Sequence, residues 1–296
     1  VKVSPSRQPT SQRKARALDT GVGVLGIPFD ANSSFRRGPA KAPASIRAAL
    51  GSESGNAWSE GGVRVWPSEA VRDHGDLAVP ALTASRVPID AIERGVAAAL
   101  RLTPRLLVLG GDHAISYPVL RALAARLGRV SLLHFDAHPD LYPEFAGNRY
   151  SHASPMARIL EEGLVDRLVQ VGIRSYSPAQ AEMARRHRVT TCPAWELSQA
   201  RRLRFTSPLY VSIDLDAIDP AFAPGVSHPE PGGLSVRQVL DVLAAARAPR
   251  IVGADVVELN PDCDPTGLTA AVAAKLAREL LGRLLTPEPR RSRQPR

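Results

Sequence analysis

Only two cysteines, Cys192 and Cys263, occur in 296 residues. That excludes a disulfide framework, and their separation excludes a zinc–thiolate site, so both are expected to be ordinary packed thiols. Aromatic residues make up only 5% of the chain, so the core implied by a 44% hydrophobic content must be mainly aliphatic. No apolar run approaches the roughly 20 residues that span a bilayer, and no membrane partner is expected.

The formal charge of +9 would ordinarily suggest nucleic acid or an anionic surface. Its distribution argues against both. Residues 1–18 carry five basic side chains and no acid, and residues 286–296 carry four arginines against Glu288; removing these +5 and +3 contributions from +9 leaves +1 for residues 19–285. The basicity therefore sits in two Pro/Ser/Gln-rich tails, 1–18 and 286–296, expected to be disordered, flanking one domain over 19–285. No nucleic-acid partner is expected. The first tail loosely resembles an organelle transit sequence but lacks an apolar face, so the expected location is cytoplasmic, with organellar import left open.

Between the tails, short apolar runs alternate with amphipathic stretches. This pattern predicts an α/β fold of three layers, a mainly parallel sheet covered on both faces by helices. Strands are expected at 21–29, 105–110, 130–135, 168–173, 210–213 and 250–257. Helices are expected at 42–50, 89–102, 116–127, 155–162, 178–188, 236–246 and 268–285, with Ser235 as an N-cap.

Four of these strands run into acidic or histidine clusters: Asp112 and His113; Asp136, His138 and Asp140; Asp214, Asp216 and Asp219; and Asp255 with Glu258. The carboxyl edge of a parallel sheet forms the ligand crevice of an α/β fold. Asp136-Ala137-His138-Pro139-Asp140 spaces three donors at alternate positions, which share a face if strand geometry persists. A lone Asp-x-Asp is commonly a solvated turn, whereas clusters after several strands of one sheet suit a pair of divalent cations. His134 lies inside an apolar strand and is expected to be a core or supporting histidine rather than a ligand. His74 and His187 are expected at the surface, and Asn32-Ser33-Ser34 is discounted as a glycosylation site. A binuclear metallophosphoesterase is disfavoured, because no Gly-Asn-His motif is present.

Three strings in order, Gly110-Gly111-Asp112-His113, Asp136-Ala137-His138-Pro139-Asp140 and Ser212-Ile213-Asp214-Leu215-Asp216-Ala217-Ile218-Asp219-Pro220, resemble the ureohydrolases, the family of arginase, agmatinase and relatives. The runs 147–154, 223–233 and 253–258 look closest to plant-type arginases, which share His228 where many relatives carry a small hydroxyl residue. The resemblance implies a three-layer αβα arginase-like fold and two Mn2+ per subunit. One ion would be held by His113, Asp136, Asp140 and Asp214, the other by His138, Asp136, Asp214 and Asp216. It also implies Glu258 as partner of the guanidinium, His152 as proton shuttle to the leaving amine, and a homotrimer or homohexamer. The implied reaction is hydrolysis of a guanidino group to urea and an amine, with L-arginine favoured as substrate and agmatine or another guanidino compound as the alternative. Asn148 and Ser151, beside His152, are expected to bind the substrate carboxylate, with Arg149 as an added attraction.

Overall fold

The computed structural model describes residues 21–286. The tails 1–18 and 286–296 therefore lie outside the described residues, apart from Thr286. The strands are β1 (Val22–Gly26), β2 (Val71–Asp76), β3 (Arg105–Leu109), β4 (Val130–Phe135), β5 (Val165–Ile173), β6 (Thr190–Pro193), β7 (Leu209–Asp214) and β8 (Ile251–Val257). They form one sheet in the order β2-β1-β3-β8-β7-β4-β5-β6, and every pairing is parallel. The helices are α1 (Ala42–Leu50), α2 (Arg86–Leu102), α3 (Ser116–Leu127), α4 (Pro155–Glu161), α5 (Pro178–Arg186), α6 (Val236–Ala245) and α7 (Leu268–Leu285).

Parallel strands covered on both faces read as near-continuous apolar runs, as β3, β4, β7 and β8 do. Alternation still decides which layer each residue meets. Leu107, Leu133 and Val211 pack in one core with residues of α1, α6 and α7. Leu106, Leu132 and Tyr210 pack in the other with residues of α2, α3 and α4. Each fully buried Leu or Val in these layers contributes roughly 1.5–3 kcal/mol by leaving water. Helix α3 tolerates Pro118 because the first turn needs no donor there, and it stops at Gly128, whose φ of +77° suits glycine. Ser235 caps α6 in a reciprocal box with Gln238, as its sequence predicts.

Two strands had not been anticipated. β2 and β6 are the edges of the sheet; β2 is polar and mostly exposed, and β6 has only four residues. An edge strand has one neighbour and little need of an apolar run, so periodicity is silent there. His74 falls on β2 and is half-buried, with its Nε2 2.9 Å from Thr103 Oγ1, rather than a plain surface residue. Helix α2 also begins three residues earlier than expected, at Arg86, where Ser85 caps it by accepting from Val87 N.

Candidate active site

The four clusters follow β3, β4, β7 and β8, which are the four central, mutually adjacent strands of the sheet. Their carboxyl ends bring His113, Asp136, His138, Asp140, Asp214, Asp216 and Glu258 together around one crevice. Gly111 makes this approach possible, because a Cβ there would lie 1.8 Å from the Phe29 carbonyl oxygen, and Asp112 N donates to that same oxygen at 2.8 Å. Asp140 and Glu258 adopt φ of +54° and +66°, conformations that cost a non-glycine residue roughly 1–3 kcal/mol and that persist where surrounding structure enforces them.

His113 is the most informative side chain. Its Nδ1 lies 3.1 Å from Asp214 Oδ2, 3.2 Å from Asp136 Oδ2 and 3.2 Å from Asp140 Oδ2. Its Nε2 lies 2.9 Å from Ser212 Oγ, which donates to Asp255 Oδ1 at 2.6 Å and so accepts from the imidazole. The ring proton is thereby placed on Nε2, and the Nδ1 lone pair faces three carboxylate oxygens. That arrangement demands a cation. In the metal-free protein the cation is a proton: burial opposes the charged ring, yet Asp136, Asp140 and Asp214 hold His113 well above its ordinary pKa.

The second half of the cluster repeats the device. His138 Nδ1 is 3.0 Å from Asp216 Oδ2 and 3.4 Å from Asp136 Oδ1, and its pKa rises to about 12 because, against burial, Asp216 and Asp136 surround it. The carboxylates themselves diverge. Burial and the neighbouring aspartates push Asp214 well up and Asp216 up to about 6, whereas Asp136, despite burial, is held low by His134 and the other imidazoles.

The donor set fits two divalent cations. Four carboxylates match a charge of +4, no Lys or Arg among the described residues lines the crevice, and oxygen with imidazole nitrogen suits manganese-like ions. Two donors bound about 2.1 Å from an octahedral ion lie about 3 Å apart, close to the separations between the His113 and His138 nitrogens and their aspartate oxygens. His113, Asp136, Asp140 and Asp214 could hold one ion, and His138, Asp136, Asp214 and Asp216 the other. His134 is not free to join them: its Nδ1 accepts from Gln170 Nε2 at 3.0 Å and its Nε2 donates to Asp136 Oδ2 at 2.8 Å. It orients Asp136, the supporting role expected for a buried histidine in that strand.

Above the cluster lies a cavity of about 390 Å³, lined in part by His138, Asp140, His152, His228 and Glu258. Glu258 Oε1 accepts from His113 N at 2.8 Å and lies 3.3 Å from His152 Nδ1. Its Oε2 is buried without a partner, an unmet acceptor at the cavity wall. Burial works against the Glu258 carboxylate, but the His152 hydrogen bond keeps it below its ordinary pKa. His152 in turn is raised to about 9, because Glu258 outweighs burial, and its Nε2 is 2.8 Å from Ser34 Oγ. His228 stacks on His152 with ring centroids 4.7 Å apart, and burial together with that neighbour lowers it to about 4.

The loop residues expected to bind substrate are placed otherwise. Asn148 donates from Nδ2 to Asn32 Oδ1 at 3.0 Å and accepts from Tyr150 N at 2.8 Å, so its side chain braces the loop. Ser151 is buried and accepts from Ala153 N at 3.3 Å. Neither is among the residues lining the cavity, and Arg149 pairs with Glu161 at 2.7 Å. Asn32 is buried, in keeping with its dismissal as a glycosylation site, and both cysteines are free thiols. Sequence reasoning missed Ser212, Gln170 and Ser34, which set the orientation of the imidazoles; they lie far in sequence from the rings they touch, and nothing local marks them.

A sheet-edge cluster of two imidazoles and four aspartates under an acid-lined cavity is the architecture of a metallohydrolase. Comparison with known proteins narrows this. The Arginase family model matches residues 20–282. Arginase 1, mitochondrial, of Arabidopsis thaliana is 46% identical over 277 residues, covering 89% of this chain and 81% of its own. Guanidinopropionase of Pseudomonas aeruginosa is 37% identical over 276 residues, covering 88% and 85%. The solved structure of arginase from Medicago truncatula superposes with a TM-score of 0.84 at 42% identity, covering 93% of this chain and 90% of that one. The chain belongs to the arginase family.

Proposed function

We propose that this protein is an arginase, hydrolysing L-arginine to L-ornithine and urea. The observation that carries the chemistry is the His113 lone pair facing three carboxylate oxygens beside the unpartnered Glu258 Oε2. The first calls for a metal, and the second for a cationic substrate group. The preference for arginine rests on the arginases among the relatives.

The metal pair is proposed to be two Mn2+, held by His113, Asp136, Asp140 and Asp214 and by His138, Asp136, Asp214 and Asp216, with Asp136 and Asp214 shared. When bound, such a pair supplies an activated water nucleophile at neutral pH and polarises the attacked group. The protein does the rest. Glu258 Oε2 receives a guanidinium N–H and orients the planar fork, a charge-assisted contact made stronger by burial. His152, charged at neutral pH through its contact with Glu258, delivers a proton to the departing amine nitrogen. Asn148 and Ser151 keep the His152 loop in shape; in this reading they act on the substrate through that loop and not by contact.

The finer expectations of a homotrimer or homohexamer, one domain over 19–285 and a cytoplasmic location accompany this reading. The plant relatives are named mitochondrial, and among the described residues no helix is long and apolar enough to cross a membrane. The test is urea release by manganese-loaded protein with L-arginine, agmatine and 3-guanidinopropionate side by side. A dominant kcat/KM for arginine supports the assignment. Dominance of either other compound retains the hydrolase and overturns the substrate, and no urea from any of them overturns the hydrolase.

A further inference from the structure

Of the three imidazoles lining the cavity, His138, His152 and His228, only His228 has no part in the proposed reaction. It is half-buried, its ring stacks on His152 and lies 5.8 Å from Phe35, and no hydrogen bond to a described residue engages either of its nitrogens. A neutral imidazole always keeps one nitrogen as a lone-pair donor. Two further donors stand beside it. Glu258 is only 3% exposed, and its Oε2 is buried without a partner. His152 Nδ1 lies 3.3 Å from Glu258 Oε1. One nitrogen from each of these two rings and one Glu258 oxygen all fall within 4.8 Å of one another.

Two imidazoles and one carboxylate form a recurrent zinc set, with a fourth position open to water. Donors about 2.1 Å from a tetrahedral ion lie roughly 3.4 Å apart. The His152–Glu258 pair already has that spacing, and a small shift of the His228 ring completes it. His152 is also braced as a metal-binding imidazole is, because its Nε2 stays on Ser34 Oγ at 2.8 Å while Nδ1 turns to the ion. We infer that His152, His228 and Glu258 form a third cation site, in the cavity above the aspartate cluster, that takes Zn2+. Its donor balance sets it apart from that cluster. Nitrogen outnumbers carboxylate here, so Zn2+ is preferred over Mn2+, which ranks lowest among first-row divalent ions at such donors. The site itself goes beyond the arginase reading, and only its consequence for turnover rests on that reading. An ion on Glu258 occupies the carboxylate that the guanidinium needs and takes the His152 lone pair, so zinc and substrate exclude each other.

The test is equilibrium dialysis of the Mn2+-loaded protein against rising Zn2+, with both metals counted by elemental analysis. One Zn2+ per chain should bind while both Mn2+ stay. His228→Ser removes one zinc donor and leaves the six proposed Mn2+ ligands alone, so retained Mn2+ shows that the variant is folded. Its Zn2+ affinity should fall at least about 100-fold, because losing even a residue that only supports a ligand costs about 10- to 100-fold. Urea release reads the consequence. In the unaltered protein Zn2+ should raise KM for L-arginine and leave kcat unchanged, and His228→Ser should resist it. Zn2+ that enters only in exchange for Mn2+, or a third equivalent indifferent to His228→Ser, overturns the site. If no guanidino compound yields urea, the hydrolase reading falls while dialysis still decides the site. If no Mn2+ is held, the site stands where the unaltered protein saturates with one Zn2+ more than His228→Ser, and falls where the two are equal.

Discussion

His113 and His138 each follow a strand end and each faces aspartates, yet they are held in different ways. The His113 side chain is wholly buried, and its second nitrogen is tied through Ser212 to Asp255, which also accepts from Tyr210 OH and Ser116 Oγ at 2.8 Å each. The His138 side chain is 30% exposed, lines the cavity, and is held through its Nδ1 alone. The deep half of the cluster is thus pre-formed by a dry hydrogen-bond network, and the outer half is left open to the substrate. Outer hydrogen bonds of this kind raise the basicity of a metal-binding imidazole and fix its orientation.

The largest effects are expected at the residues both halves share. Asp136→Asn or Asp214→Asn should strip both metal equivalents and lower kcat by at least about 1000-fold, in keeping with the loss of a metal-generated nucleophile. Elemental analysis alongside urea release checks this; full activity in either variant would refute the shared-ligand assignment. Separating the halves comes next. His113→Asn should lose the tighter metal equivalent, and His138→Asn should keep one equivalent per chain, as read by equilibrium dialysis. Identical metal losses would show the halves to be equivalent.

Ser212→Ala offers a finer probe, since it leaves every ligand in place and frees the His113 ring. Metal affinity should fall about 10- to 100-fold in the deep half alone. An unchanged affinity would remove the network from the account.

The smallest effect concerns protons at the cavity wall. His152 has a folded pKa of about 9 against an ordinary 6.5, so its contact with Glu258 stabilises the fold fully below about 6.5 and is lost as pH rises through about 9. In metal-free protein, NMR titration should place His152 near that value and Glu258→Gln should lower it. A His152 that titrates at its ordinary value would break the pair.

Much of this site was readable from residue spacing. Donors at alternate positions after apolar runs announce strand ends, and the side chains proposed as ligands after β3, β4 and β7 lie together around one crevice. The edge strands β2 and β6 were not legible, because a polar edge obeys no burial pattern. The loop 136–153 was legible as functional but not in its details: Asn148 turns back to Asn32, a contact across 116 positions that local sequence does not encode. The capping box of Ser177 and Gln180 was not anticipated, and only the fold shows that this helix start opens onto the cavity. Tautomer-setting partners such as Ser212 and Gln170 are ordinary strand residues until the sheet places them beside an imidazole.

The order of the strands also sets when the site can exist during synthesis. β8 separates β3, which delivers His113, from β7, which delivers Asp214, and it is the last strand to be made. A nascent chain that has displayed all six proposed metal ligands still lacks the strand that brings the first of them beside the others. On the proposed ligand set, holding both ions requires residues 251–257 in the middle of the sheet, the last strand to leave the ribosome. A chain cut short before that point lacks the strand between β3 and β7, so a filled site would report that the two halves of the sheet have joined.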